Sequence, residues 1–517
     1  MQLNPGQRLR SASSEAEVIV IRAPKGEVHL TCAGAPMIPF EQAQAAGAAA
    51  PADAPPLLIG KRYCDEEGRW NCCAPAGSGA AGRGLPGAGR QGRQALAGLR
   101  LNGAAMNILT LLEIVAAADG DRVALGDRDT GLTYAGLLDL AARTARRLDG
   151  GEGTVLYATT ASPAFPAALF AAAWTGRPFA PLSYRLAGDP LRRLIAAQAP
   201  ALLVAGRAVL DLAAEVPGVT GTGPDDLLRT AATMPPTETA APQDPEAPAV
   251  LLHTSGTTGT PKVAVLRHRH LTSYVLESTE LLSAAPDEAA LVSVPPYHIA
   301  GVAGLLTGIY SGRRIVQLPN FEAAEWVRLA REQHVTHAMV VPTMLARIVE
   351  VLRADGGGLP ALRHLSYGGG RMPRPVIERA LELLPGVDFV NGYGLTETTS
   401  SIAVLTPQDH RDAVASADPR VRRRLESVGR PLPAVEIEVR DSGGRPVPQG
   451  SAGELWVRGP QVSGEYAHAS HLEEGGWFRT RDGGWIDEDG YVYVEGRLDD
   501  VIVRGERTCP RARSRTR

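Results

Sequence analysis

From Met106 to Gly429 the sequence alternates between short apolar runs and longer amphipathic stretches, and this restricts the fold more than any other feature. The runs Val155 to Thr159, Phe179 to Leu182 and Ala201 to Ala205 read as strands around the helices Pro166 to Trp174 and Asp189 to Ala199. Farther on, strands are expected at Ala290 to Val294, Arg314 to Leu318, Thr336 to Val340, Leu362 to Ser366 and Val387 to Val390. The helices Gly301 to Tyr310, Ala323 to Gln333, Pro342 to Arg353 and Pro373 to Leu384 separate them. Apolar strands joined through helices make parallel sheets covered on both faces. Beyond Gly429 the helices stop, and short strands with glycine turns (Val435 to Arg440, Gly453 to Arg458, Tyr491 to Val494) follow. The expected fold class is therefore α/β, with two helix-covered, mostly parallel sheets plus a small β barrel or twisted sheet. A Pro/Thr/Ala-rich connection, Gly218 to Pro248, is expected on the surface.

Within this frame one loop carries unusual chemistry. The apolar strand Ala249 to Leu252 runs into Thr254, Ser255, Gly256, Thr257, Thr258, Gly259 and Thr260, then Pro261 and Lys262. Hydroxyls, bare amides and one ammonium are all donors, so the fitting guest is a polyphosphate. The spacing is not that of a P-loop, which needs Gly-Lys-Ser/Thr five positions after its first glycine. Other clusters fall at strand exits, where open α/β sheets bind ligands. Gly368, Gly369 and Gly370 let a flat ring approach the backbone. The run Asn391 to Thr398 holds an aromatic face in Tyr393, a hydroxyl in Thr396 and a carboxylate in Glu397 that suits a hard cation such as magnesium. His298 follows Pro295, Pro296 and Tyr297 at another exit, and Asp482, Arg497 and Asp499 lie near the end. Taken singly, each of these is as well explained by a turn, a core ring or a surface charge.

A net charge of -3 argues against a nucleic-acid partner, and no apolar stretch approaches the 18 residues of a membrane span. A cytoplasmic small-molecule protein is expected. Cys32, Cys64, Cys72, Cys73 and Cys509 leave the stretch from Met106 to Glu506 without a thiol, which excludes a cysteine metal site or disulfide framework there.

In order and spacing, TSGTTGTPK, PPYHIAG, NGYGLTET, WFRTRDGG and GRLDDVIVRGE are not independent. From about Met106 to Glu506 the chain resembles the adenylate-forming superfamily of acyl-CoA synthetases, luciferases and peptide-synthetase adenylation domains. The resemblance implies that Thr254, Ser255, Gly256, Thr257, Thr258, Gly259 and Lys262 cradle the phosphates of ATP, and that Thr396 touches the α phosphate. It implies that Glu397, with Thr254, holds magnesium, that Tyr393 and Gly368 to Gly370 enclose adenine, and that Asp482 and Arg497 bond the ribose. By the same resemblance, His298 would stand at the gate beside the carboxylate substrate, and Asp499 would be the hinge of a C-terminal domain. The implied activity joins a carboxylic acid, fatty or aromatic, to ATP as an acyl adenylate and then to coenzyme A, with Lys262, His298, Thr396 and Glu397 as the catalytic group. The alternatives are a catalytically impaired nucleotide-binding remnant and a carrier-loading adenylation domain. Val263 and Arg481 stand where the family has smaller residues.

The expected domains are a small β-like segment at 1–67, a Gly/Ala/Arg-rich linker at 68–105, α/β subdomains at 106–428, a β-rich unit at 429–496, a hinge at 497–506 and an aberrant tail at 507–517. The linker from Gly68 to Ala105 has five arginines and no acidic residue, and five arginines follow Glu506. Read with a one-register offset, the codons of Arg69 to Pro75 and of the tail after Glu506 can give ordinary protein sequence. A frameshift at each end is therefore expected, with the C-terminal domain missing and Met106 the functional start. Resequencing the gene tests this.

Overall fold

The computed structural model describes residues 106–254, 262–467 and 469–498. Outside them it describes only the backbone of Arg8–Ser11, Glu17–Arg22, Thr31–Cys32, Ala35–Pro39, Arg62–Cys64, Asn71–Cys73, Val501–Arg504 and Arg507–Pro510. Among these strands Glu17–Arg22 is found where it is expected. Asn71–Cys73 pairs with it and with Arg62–Cys64, so β pairing continues past residue 67 into the segment read as linker. The rest of that linker, most of the expected strand Glu27 to Thr31, Asp499 and the side chains of the tail lie outside the described residues.

Two large sheets carry the body. In the first, Val219–Thr222, Ala201–Ala205, Thr154–Ala158, Phe179–Pro181 and Pro248–Thr254 run parallel, and Lys262–Arg267, Glu465–Tyr466 and Ala469–Ser470 extend it antiparallel. In the second, Asp388–Leu395, His364–Gly368, His337–Val340, Ala289–Val292, Arg314–Gln317 and Val123–Leu125 are parallel. Antiparallel strands, Ser400–Leu405 and Arg430–Pro431 on one side and Leu132–Thr133 on the other, finish its edges. The strands Thr154–Ala158 and Ala201–Ala205 are buried at every residue, as continuous apolar runs must be when helices cover both faces.

The helices between the sheets explain why the two form one body. Helix Ala164–Trp174 is buried from Ala164 through Ala173; its alanines let neighbours pack closely, and Pro166 is tolerated because first-turn amides have no intrahelical partner. Leu109–Asp119, His268–Ser278 and Ile299–Tyr310 pack with it in a core that takes Val155, Tyr157 and Leu252 from the first sheet and Leu125 and Ile315 from the second. A second core fills the space around His337–Val340 and the helices Ala323–Glu332, Pro342–Asp355 and Arg374–Leu383.

One expectation changes. The connection Gly218 to Pro248 holds a strand, Val219–Thr222, and a helix, Pro224–Thr233, that buries Leu227 and Ala231. Its start was readable: proline with Asp225 and Asp226 in the first turn is a helix N-terminus. The unit after Gly429 consists of Glu436–Arg440, Gly453–Arg458, Trp477–Ile486, Leu472–Glu473 and Val492–Arg497, all antiparallel. Its outer strands do not pair with each other, so the small β unit expected here is a curled half-barrel, between the barrel and the twisted sheet that the strand pattern allowed.

Candidate active site

Strands Pro248–Thr254 and Lys262–Arg267 form an antiparallel hairpin in which Thr254 faces Lys262. The loop joining them is the polyphosphate candidate; Ser255, Gly256, Thr257, Thr258 and Gly259 lie outside the described residues. The described residues that follow it, Lys262–Arg267, form a strand rather than a helix, which separates it physically from a P-loop. Lys262 is exposed, and its Nζ lies 5.2 Å from the ring centre of Tyr466, within cation–π range.

Tyr466 connects that lysine to the acidic motif. It belongs to the short strand Glu465–Tyr466 that pairs with the Lys262 strand, and its hydroxyl donates to Glu397 Oε1. Burial, and then the Glu397 charge, push the phenol well above its usual range, so it remains a donor. Local sequence held no sign of it, for its partner is 69 residues away. The same segment fastens the Glu397 backbone: Ser463 N and Gly464 N donate to Glu397 O at 2.9 and 3.2 Å. Arg267 grips Glu465 through two bonds of 2.8 and 2.7 Å, holding the strand in place. Replacing Tyr466 with phenylalanine is expected to keep the fold and lower the turnover that depends on Glu397 about tenfold. Steady-state kinetics beside a thermal melt check this; unchanged turnover would remove Tyr466 from the site.

Glu397 and Thr396 sit on a strained turn. Thr396–Thr398 is a single 3-10 turn between Asp388–Leu395 and Ser400–Leu405, and after it Thr399 and Ser400 take φ of 53° and 83°. Positive φ is uncommon for any side-chain-bearing residue and an outlier for a β-branched one. Buried hydrogen bonds compensate. Gln461 Nε2 donates to Thr398 O at 2.9 Å and Ser401 O at 2.8 Å, and Thr399 Oγ1 donates to Gln461 O at 2.7 Å. Thr398 Oγ1 accepts from Leu395 N at 2.8 Å. The backbone is thus held by its neighbours while Thr396 and Glu397 stay half-buried at the surface of the turn.

A second cluster adjoins it. Tyr393 donates to Asp482 Oδ2 at 2.6 Å, and Arg497 Nε lies 3.1 Å from Asp482 Oδ1. Burial raises the Asp482 pKa, and the Arg497 charge and the Tyr393 hydrogen bond oppose that rise. The ring of Tyr393, expected against adenine, is partly buried and packs against the half-barrel core, and its hydroxyl is committed to Asp482. Asp482 faces inward because of a bulge in Trp477–Ile486: Glu454 pairs with Gly483 but Trp456 with Arg479, leaving Thr480, Arg481 and Asp482 opposite the single residue Leu455. Arg481 absorbs the bulge at φ 60°. Substituting glycine there is expected to stabilise the protein by about 1 kcal/mol, the left-handed penalty of an L residue, read as a raised urea midpoint.

The glycines at the end of His364–Gly368 divide into two roles. A Cβ on Gly368 would lie 2.3 Å from Gly392 O of the neighbouring strand, so glycine there serves the sheet. Gly369, at φ 75°, and Gly370, whose Cβ would meet nothing nearer than 3.9 Å, leave open space beside the Tyr393 strand. His298 caps the helix Ile299–Tyr310, its ring 4.6 Å from Tyr297, which meets Tyr184 edge-on at 5.4 Å. Burial and then Arg185 lower its pKa, so it is neutral near pH 7. Its described ring contact is with Tyr297, and no described contact joins it to Lys262, Glu397 or Asp482.

No group of three or more His, Cys, Asp or Glu able to hold a metal occurs among the described residues. A cation held largely by phosphate oxygens needs only one carboxylate, and the Glu397 turn presents one. The described residues also contain no helix long and apolar enough to cross a membrane.

The family model described as AMP-binding enzyme matches residues 112–467. The chain is 31% identical over 412 residues to an indoleacetate–CoA ligase of Aromatoleum aromaticum, covering 75% of this chain and 78% of that one. It is 32% identical over 411 residues to a feruloyl-CoA synthase of an Amycolatopsis species, covering 73% and 75%. Among solved structures it resembles o-succinylbenzoate coenzyme A synthetase of Bacillus subtilis in complex with ATP and magnesium ion, at 25% identity and a TM-score of 0.65 over 77% of this chain and 81% of that one.

Proposed function

The chain belongs to the AMP-binding enzyme family, the AMP-forming acyl-CoA ligases, and from that premise we propose that it activates an aromatic or fatty carboxylic acid with ATP and passes the acyl group to coenzyme A. One observation carries the reading. Residues from three separate motifs and one unexpected strand converge, with Lys262 against Tyr466, Tyr466 on Glu397, and Asp482 near enough for the Glu397 charge to raise its pKa.

In this reading a carboxylate oxygen attacks the α phosphorus, the new O–P bond forms, and the bond to the β-phosphate oxygen breaks to release pyrophosphate. Lys262 and the donors of the hydroxyl loop stabilise the charge that develops on the leaving group. Magnesium, when bound, neutralises phosphate charge, and Glu397 is the residue that would hold it. Asp482 and Arg497 take the ribose hydroxyls; Asp482 orients Tyr393 at the same time, so sugar binding and the wall of the base pocket move together. Gly369 and Gly370 provide the flat surface for the base. Neutral His298 stands at the mouth of the acyl site and orients the carboxylate without a charge of its own. The thiolate of coenzyme A then attacks the acyl carbonyl, and AMP departs.

Acid-dependent ATP–pyrophosphate exchange over a panel of aryl and aliphatic acids tests the proposal. Exchange well above the acid-free rate with at least one acid is expected, and formation of the corresponding acyl-CoA tests the second step. Nucleotide binding without exchange for any acid would leave only an impaired remnant, and thioester formation on a carrier protein but not on coenzyme A would favour a carrier-loading enzyme.

A further inference from the structure

A cavity of about 160 Å³ lies between helix Ile299–Tyr310 and the second sheet. Its helical wall is small, with Ala300, Gly304, Thr307 and Gly308 on one side, and a Cβ added at Gly304 would meet nothing within 4 Å. Ala300 to Gly308 spans about 12 Å at the helical rise, enough for a substituted ring. The sheet wall is laid out in rungs by the strand register. Val292, Met339 and Ser366 form one rung, and Ala290, His337 and His364 form another nearer the strand starts. Ser293 lies next to Val292, at the end toward Pro295 and His298 where the acyl site begins.

Ser293 does not behave as a packed core serine. It is 4% exposed, lines the cavity, and its Oγ has no hydrogen-bond partner. A buried hydroxyl without a partner is costly and rare, and here it borders a space the chain itself does not fill. The charged groups at the far end are already paired: Arg313 donates to Glu288 at 3.0 and 2.8 Å, and Arg363 lies 3.1 Å from Asp287. Burial and neighbouring arginines lower His337 to about 3, so it is neutral near pH 7. The other imidazole of the lining, His364, lies 3.7 Å from Asp388 Oδ2, so the described lining offers hydrogen-bonding groups and no cation without an acidic partner.

We propose that Ser293 is a specificity-determining residue, and that the acid this protein activates carries a neutral hydrogen-bonding substituent such as a hydroxyl on its tail rather than a second carboxylate. The inference rests on the adenylation reading above. It is tested by calorimetric binding of sulfamoyl-adenosine analogues of the acyl adenylate to the full chain. The acyl groups are 3-phenylpropanoyl, its 2-, 3- and 4-hydroxyphenyl forms, and its 4-carboxyphenyl form. At least one hydroxylated probe is expected to bind about tenfold or more tighter than the unsubstituted one, with the carboxylated probe weakest. In Ser293→Ala that preference collapses to within about twofold, and Gly304→Leu, which fills the cavity, weakens all five probes at least tenfold. Equal binding of the five probes, or a preference untouched by Ser293→Ala, overturns the inference and leaves the adenylation reading standing. No binding by any probe overturns both.

Discussion

Replacing Glu397 with glutamine is expected to lower acid-dependent pyrophosphate exchange by about 10²- to 10³-fold while leaving the melting temperature unchanged. The change removes one negative charge and almost no volume. The bonds that shape the turn are made by Gln461, Thr398, Ser463 and Gly464, and none of them uses the Glu397 carboxylate. An amide oxygen can still accept from Tyr466, so the contact that orients the side chain persists. What is lost is the charge that would hold a cation against the triphosphate, a term that low-dielectric surroundings amplify. The magnesium concentration for half-maximal exchange is accordingly expected to rise. Exchange within threefold of the parent protein at low magnesium would show that Glu397 does not serve the reaction.

Gly394→Ala is expected to cost about 4 kcal/mol or more, a range reserved for disruptive changes. A Cβ at this position would lie 1.7 Å from Ser400 O and 2.5 Å from Ser400 C. Both are backbone atoms of the opposing strand, so no side chain can swing away to make room. Gly394 pairs with Ser401 at a shift in register, and the two strands approach so closely because Thr399 and Ser400 turn through positive φ between them. Relief would require opening the hairpin that carries Thr396 and Glu397, so exchange activity is expected to fall with stability. Urea unfolding followed by fluorescence measures the first and exchange the second. Full retention of both would contradict the backbone geometry of the turn. Since Glu397→Gln is expected to lose activity alone, the pair separates chemistry from scaffold.

Much of the fold was legible, because burial on both faces leaves continuous apolar strands and helical periodicity survives in the segments between them. Ala201–Ala205 has the bounds expected of it. Antiparallel additions were not legible: Ser400–Leu405 follows the Glu397 turn with mixed polarity, and Lys262–Arg267 is masked by its charged ends. Such edge strands owe their state to the neighbour they join rather than to their own composition. The motif residues were likewise readable by chemical type, since glycine, hydroxyl and carboxylate clusters at strand exits have few structural reasons to occur together.

By itself the sequence determined the layered α/β body, the donor-rich loop after a buried strand and the identity of the polar groups near it. These follow from local periodicity and from side-chain chemistry, which need no knowledge of distant residues. Only the tertiary structure decided that Tyr466 would join Lys262 to Glu397, that Tyr393 would be committed to Asp482 through a bulge at Arg481, and that Ser293 would be left facing a cavity. Each depends on the register of one strand against another, and register is set by how whole faces pack, at sequence separations over which no periodic signal carries.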